Sequence, residues 1–233
     1  MSHPAQGFAQ RLAHQSAAGC CSRQSGPRTE RIMKISAVFF VLILSSFLVS
    51  AGQSADARDK DHQPEKVMDV AGVSAGMVIG EVGAGHGYFT FWLARRVGSS
   101  GKIYANDILS DALSAIRDRC RKENVQNIET ILGEVEDPLF PAGRLDMVFL
   151  VNAFHDLEKP VELLNNLLPS LRPGAVVVIM DRDPAKISDP NHHLLTKESV
   201  LRKIDQSRFE LARLETFLPL HNIYILRPRP RPN

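Results

Sequence analysis

From residue 64 onward the chain alternates between short, almost continuous apolar runs and stretches where apolar positions recur every three or four residues. The runs read as strands buried on both faces and the stretches as amphipathic helices; their alternation predicts a parallel α/β sheet. Pro64 opens a helix with Val67, Met68, Val70 and Ala71 on one side, and "GMVIGEV" (76–82) follows as the first strand. "GYFTFWLARRVG" (87–98) is a helix closed by Gly98, "KIYANDI" (102–108) a second strand, and "SDALSAIRDRCRKENV" (110–125) the next helix. "NIETILGE" (127–134) and "RLDMVFLVNAF" (144–154) supply strands three and four. A helix is expected from Pro160 to Gly174, then a fifth strand over "AVVVIMDRD" (175–183). Thr196 caps a helix over 196–206, with Ser199 where an acidic partner would complete a capping box. Two late strands, 208–218 and 221–228, read as a closing hairpin.

Between the first strand and its helix stands "EVGAGHGYFT" (81–90), with Gly83, Gly85 and Gly87 at alternate positions. Glycine there permits positive φ and a close approach of another group to the main chain. In open α/β sheets ligands bind at the C-terminal ends of strands, which is where this turn lies. A phosphate loop would need Lys-Ser/Thr after the last glycine, but Tyr88-Phe89 follows. A dinucleotide fingerprint would need a sixth-position glycine, where Tyr88 stands. Asp107, at the end of the second strand, suits a ribose, the rival role being a helix N-cap. In "GEVEDP", Glu134 suits an exocyclic amine and the Val135 amide a ring nitrogen, the rival being a solvated acidic loop. Together these describe a nucleoside with a non-phosphate tail.

At these residues the chain resembles the class I S-adenosylmethionine-dependent methyltransferases, over roughly residues 64 to 228. "VIGEVGAGHGYFT" is similar to that family's first motif, "GKIYAND" to its second strand, and "GEVEDPLFPAGRLDMVFLVNAFHDLEKP" to its adenine-site and fourth-strand segment. The resemblance implies a Rossmann-like, doubly wound seven-stranded sheet with the last strand antiparallel, and S-adenosyl-L-methionine as cofactor. It puts Glu81 and the Gly83, Ala84, Gly85 and Gly87 backbone on the methionine part, Asp107 on the ribose, Glu134 and Val135 on the adenine, and Asn152 near the sulfonium. Gly80 departs from the bulky strand residue usual there, which weakens strand packing, and Glu134 from the more frequent aspartate. His155, in "NAFHD" after the fourth strand, falls where the family places substrate-facing residues. It is a candidate catalytic base, a positioning residue or a structural one.

Ahead of this body lies "MKISAVFFVLILSSFLVSAGQSADA" (33–57), a lysine, an apolar run and then small residues, the layout of a signal peptide. The rival is an uncleaved membrane tether through residues 35–50. Either puts the body outside the cytoplasm, because Arg23, Arg28, Arg31 and Lys34 precede the run. Cytosolic supply of the methyl donor conflicts with that export. Residues 1–32 read as a disordered extension or translation from an upstream start, 58–228 as the methyltransferase domain, and 229–233 as a basic Pro-rich tail. Residues 58–233 carry 23 basic and 24 acidic side chains, so no global charge favours nucleic acid. Cys20, Cys21 and Cys120 have no zinc spacing, and His192, His193 and His221 no recognised ligand spacing, so no metal is expected. The expected partner is a small-molecule acceptor, with a protein carboxyl group as acceptor, or cofactor binding without catalysis, as alternatives.

Overall fold

The structure is a computed structural model that describes residues 57–187 and 193–230. The extension 1–32, the leader apart from Ala57, His192 and the last three tail residues lie outside the described residues. Among the described residues no helix is long and apolar enough to cross a membrane.

Residues 57–62 are helical (α1) and lead into α2 (Pro64–Ala71). The body then runs β1 (Val78–Val82), α3 (Tyr88–Val97), β2 (Lys102–Asp107), α4 (Ser110–Glu123), β3 (Ile128–Leu132) and β4 (Leu145–Val151). It continues through α5 (Pro160–Leu167), β5 (Leu171–Arg182), α6 (Lys197–Gln206), β6 (Phe209–Glu215) and β7 (His221–Pro228). The seven strands form one sheet in the order β3-β2-β1-β4-β5-β7-β6. Pairs from β3 to β5 are parallel, and β7 runs antiparallel to both β5 and β6. This is the Rossmann-like architecture expected, closing hairpin included.

The central strands are apolar on both faces because helices cover both. Ile79, Met147, Phe149, Val178 and Met180 pack with Val67, Met68, Phe89, Leu93 and Val97 of α2 and α3. Their neighbours Val148, Leu150, Val177 and Ile179 point the other way, against Leu163, Leu164 and Leu167 of α5 and Val200 and Ile204 of α6. Period-two alternation with both sets buried is what an uninterrupted apolar run looks like in three dimensions.

Two local expectations need correction. The helix from Pro160 ends at Leu167 rather than Gly174, because Pro169 removes an amide that the next turn would use; residues 168–170 tighten into a 3-10 turn and β5 starts at Leu171. Gly80 does not weaken the strand. A Cβ there would stand 2.8 Å from the Phe140 ring and 2.9 Å from Leu145 Cδ1, so its bare backbone admits the ring that closes this face. Thr196 caps α6 as expected, its Oγ1 accepting from the Ser199 amide at 3.2 Å.

Candidate functional site

The strand order reverses direction at β1, which pairs with β2 on one side and β4 on the other. Ligands in open sheets settle at such a switch point. The turns leaving β1 and β4 meet there. Gly83 (φ 69°) lies so close to the β4 turn that a Cβ would stand 2.6 Å from that of Ala153. Gly87 (φ 83°) is needed for packing against Ile116 and Phe91, not for lining a cavity. Gly85 is different: its φ is 54°, and a Cβ there would meet nothing within 4 Å. It opens onto empty space.

Two cavities flank these turns. One, of about 420 Å³, is lined by Glu81, Gly83, Ala84, Gly85 and Asn152, with Arg58, His62 and Tyr88 closing it from outside. The other, of about 280 Å³, is lined by Gly83, Asp107, Glu134, Val135 and Asn152 among others. Gly83 and Asn152 belong to both, so eight of the ten residues singled out from sequence line these two cavities, and His155 joins through a third cavity that also holds Asn152. Gly87 lines none of them and only shapes the turn. A larger cavity of about 730 Å³ lies elsewhere, between the end of α3, the start of β2 and the turn after α4, and holds none of these residues.

Each polar group has a traceable setting. Asp107 does not cap α4: its Oδ1 accepts from the Leu109 amide at 2.9 Å and its Oδ2 from the Gly85 amide at 2.8 Å. The carboxylate therefore ties β2 to the glycine turn and keeps acceptor capacity on both oxygens. Asn106, buried beside it, donates to the carbonyls of Ile131 and Pro138 and so fixes the 133–138 loop. In that loop Glu134 and Val135 are exposed, and the Val135 amide has no partner among the described residues.

Glu81 is buried in β1 and accepts from Thr90 Oγ1 at 2.5 Å. Burial pushes its carboxyl up to about 8; the Thr90 hydrogen bond opposes this and the Asp107 charge adds to it. At neutral pH it is mostly protonated. Asn152 stands in the left-handed region (φ 52°), its Nδ2 donating to His62 Nε2 at 2.8 Å while its buried Oδ1 has no partner among the described residues. His62 is held as the Nδ1–H tautomer, since Nδ1 donates to the Arg58 carbonyl at 2.9 Å. Burial lowers its pKa, in keeping with a neutral ring that accepts from an amide.

Sequence reasoning missed the partner that gives His155 its chemistry. His155 Nδ1 donates to Asp181 Oδ1 at 2.6 Å, and its backbone amide donates to Asp181 Oδ2 at 2.9 Å. Asp181 is buried near the end of β5. The hydrogen bond to Asp181 raises the His155 pKa above its ordinary value, against the opposing effect of burial. With Nδ1 engaged, Nε2 faces outward, 3.4 Å from the exposed Asp156 carboxylate. Asp181 carried one usable signal: like Asp107, it is an acid at the C-terminal end of an apolar strand. His62 also went unnoticed, having no motif around it.

Comparison with known proteins adds likenesses to this geometry. Residues 79–174 match the family described as a methyltransferase domain. A ubiquinone/menaquinone biosynthesis C-methyltransferase of Idiomarina loihiensis is 26% identical over 115 residues, 49% of this chain and 46% of that protein. The chain thus spans about half the length of the curated relatives it matches. Among solved structures, an S-adenosylmethionine-dependent methyltransferase from Aquifex aeolicus superposes with a TM-score of 0.69 at 24% identity, over 73% of this chain and 92% of that one. A [4+2]-cyclase superposes with a TM-score of 0.61 at 12% identity, over 72% and 81%. These two likenesses concern the fold.

Proposed function

We propose that the chain is a class I S-adenosylmethionine-dependent methyltransferase, a reading supported by the methyltransferase-domain match over residues 79–174, and that it transfers the methyl group to a small molecule whose accepting atom must first lose a proton. The His155–Asp181 pair carries this reading. The residues at the switch point suit the cofactor: among the described residues, Gly85 faces open space, Asn152 Oδ1 is buried without a partner, and the Val135 amide is unpaired. Glu81, Gly83, Ala84 and Gly85 would hold the methionine part, Asp107 the ribose, Glu134 and Val135 the adenine, with Asn152 at the junction and Gly87 shaping the turn. When bound, the cofactor supplies a methyl group on a sulfonium that leaves as a neutral thioether.

His155 does the proton work. Asp181 fixes its Nδ1 as the donor, so neutral Nε2 is the atom that accepts the proton, and Asp181 then steadies the imidazolium. Asn152, shared by the cofactor cavities and the His155 cavity, sets the two reactants side by side. The Idiomarina relative is a ubiquinone/menaquinone biosynthesis C-methyltransferase, which favours a small-molecule acceptor here. A protein carboxylate would need no base and would leave the His155–Asp181 pair without a task. Binding without methyl transfer is the reading from another class, and the cyclase neighbour illustrates the same fold serving a different reaction.

The deciding experiment is calorimetric titration of the purified chain with S-adenosylmethionine, followed by transfer of labelled methyl to small-molecule extracts of the host. Binding with no labelled product from any fraction would favour the non-catalytic reading. We also infer that the 33–57 leader exports or tethers the domain. Mass spectrometry of the native protein should then find an N-terminus near Gly52 or Arg58, or an intact chain in membranes. Intact soluble cytosolic protein would overturn that inference.

A further inference from the structure

The cavity beside His155 encloses about 240 Å³ and is lined by Asn152, His155, Arg182 and Leu194. That is below the range of drug-sized ligand pockets, so its occupant is small. Its polar lining is uneven in charge. The buried Asp181 carboxylate is already occupied by three donors: the His155 ring, the His155 amide and the Arg182 amide. Asp183, next along the chain, accepts from the Ala185 amide and from Asn222 Nδ2. The Arg182 guanidinium itself has no ion-pair or hydrogen-bond partner among the described residues. Its charge opposes the rise that the Asp181 hydrogen bond gives the His155 pKa, and adds to the fall that burial gives His62 and His221.

We propose that Arg182 is a specificity residue for the acceptor and that the acceptor is a small molecule carrying an oxyanion, such as a carboxylate, held by the Arg182 guanidinium while a second group faces His155. This deepens the methyltransferase reading and rests on it. The guanidinium is a planar fork suited to carboxylate geometry, and Arg182 lines the same cavity as His155. Leu194 offers the apolar wall that a ring or short chain would lie against. An acceptor anchored at one end by Arg182 presents its other end to Nε2, which is the orientation a proton transfer and in-line displacement both need.

The test uses the full chain, first titrated with S-adenosylhomocysteine and then, saturated with it, with benzoate or its neutral isostere benzamide. Benzoate is expected to bind at least about tenfold more tightly, the scale of a hydrogen bond to a charged group. Arg182→Gln should erase that preference while leaving S-adenosylhomocysteine affinity within about twofold, and Arg182→Lys should keep part of it, retaining charge without the fork. Equal affinity for the two probes, no binding of benzoate, or an undiminished preference in Arg182→Gln would each overturn the proposal. Should Arg182→Gln fail to fold, a full benzoate preference in Arg182→Lys would overturn it equally. Failure of S-adenosylhomocysteine to bind would overturn the methyltransferase reading instead, and the benzoate preference, measured without cofactor, would still decide the role of Arg182.

Discussion

Binding of the cofactor should release a proton from Glu81. The carboxyl lies buried in β1 and is pushed up to about 8, so at pH 7 about nine-tenths of free protein carries it protonated. If it receives the cofactor's ammonium, it must be ionised in the complex. The conformational fraction ready to bind is then about one-tenth at pH 7, which weakens affinity about tenfold, or ~1.4 kcal/mol. A further tenfold is lost for each pH unit below that. Above about pH 8 the cofactor's own amine loses its proton, so affinity should peak near there. Calorimetry with S-adenosylhomocysteine at pH 7, in phosphate and in Tris, should differ in apparent enthalpy by about 0.8 of the difference between the two buffers' ionisation enthalpies, for about 0.9 proton released by Glu81 less about 0.1 taken up by the amine. Glu81→Gln keeps an acceptor for Thr90 but has no proton to give, so its two enthalpies should nearly coincide and its affinity should stop varying on the acid side. Equal enthalpies for the wild type would refute the reasoning, because Glu81 would then stay protonated or stand apart from the ammonium.

The remaining predictions use other parts of the site. His155→Ala should leave S-adenosylmethionine affinity nearly unchanged and lower turnover by about 10²–10⁴. Because Asp181 raises the His155 pKa, the neutral base is populated only above that raised value, and Asp181→Asn should move the acid limb of the rate profile to lower pH; an unmoved limb would detach Asp181 from the chemistry. Gly85→Ala should weaken cofactor binding with melting temperature lowered only by the strain of a left-handed residue, about 1 kcal/mol, whereas Gly83→Ala should destabilise the fold through Ala153. Equal melting temperatures for the two variants would remove that distinction. His221, wholly buried with both ring nitrogens unpartnered among the described residues, is pushed down by burial to about 3. A depressed histidine stabilises above pH 6.5 and loses that stability as pH falls toward 3, so His221→Leu should gain on wild type by about 1.4 kcal/mol per pH unit below 6.5. Denaturant titrations of both at pH 7 and pH 5 measure this; a constant difference would show the ring is not held neutral.

Most of the fold was legible because its signals are local. The run from Val176 to Met180 is apolar at every position, and only a strand covered on both faces tolerates that, so β5 could be read without knowing its neighbours. The end of α5 was misread because Leu163, Leu164 and Leu167 keep a helical rhythm up to Pro169, and the apolar pattern outweighed the proline. Gly80 was misread for a different reason. Its partner Phe140 is sixty residues away and reaches it only after the loop before β4 folds back, so nothing near Gly80 in the sequence reveals the contact.

The cofactor side and the acceptor side of the site differ in the same way. Glu81, the glycine turn and Asp107 lie on or just beyond two neighbouring strands, and each is tied to its element by strand-end position, which periodicity reveals. Asp181 also stands at a strand end, but its meaning depends on His155, which reaches it from the turn after β4 across the β4–β5 pairing. His62 is further removed still: α1 must fold over the glycine turn, with Tyr88 donating to Asp59 at 2.6 Å, before its ring meets Asn152. A cofactor shared by many enzymes can be held by residues in a fixed spacing along the chain. An acceptor particular to one enzyme is met by side chains that only the folded sheet brings together: His155 comes from the turn after β4, Asp181 and Arg182 from the end of β5, 26 residues further along the chain. On the proposed reading, a base with its carboxylate and a guanidinium without a partner among the described residues say more about the acceptor than any motif in the first half of the domain.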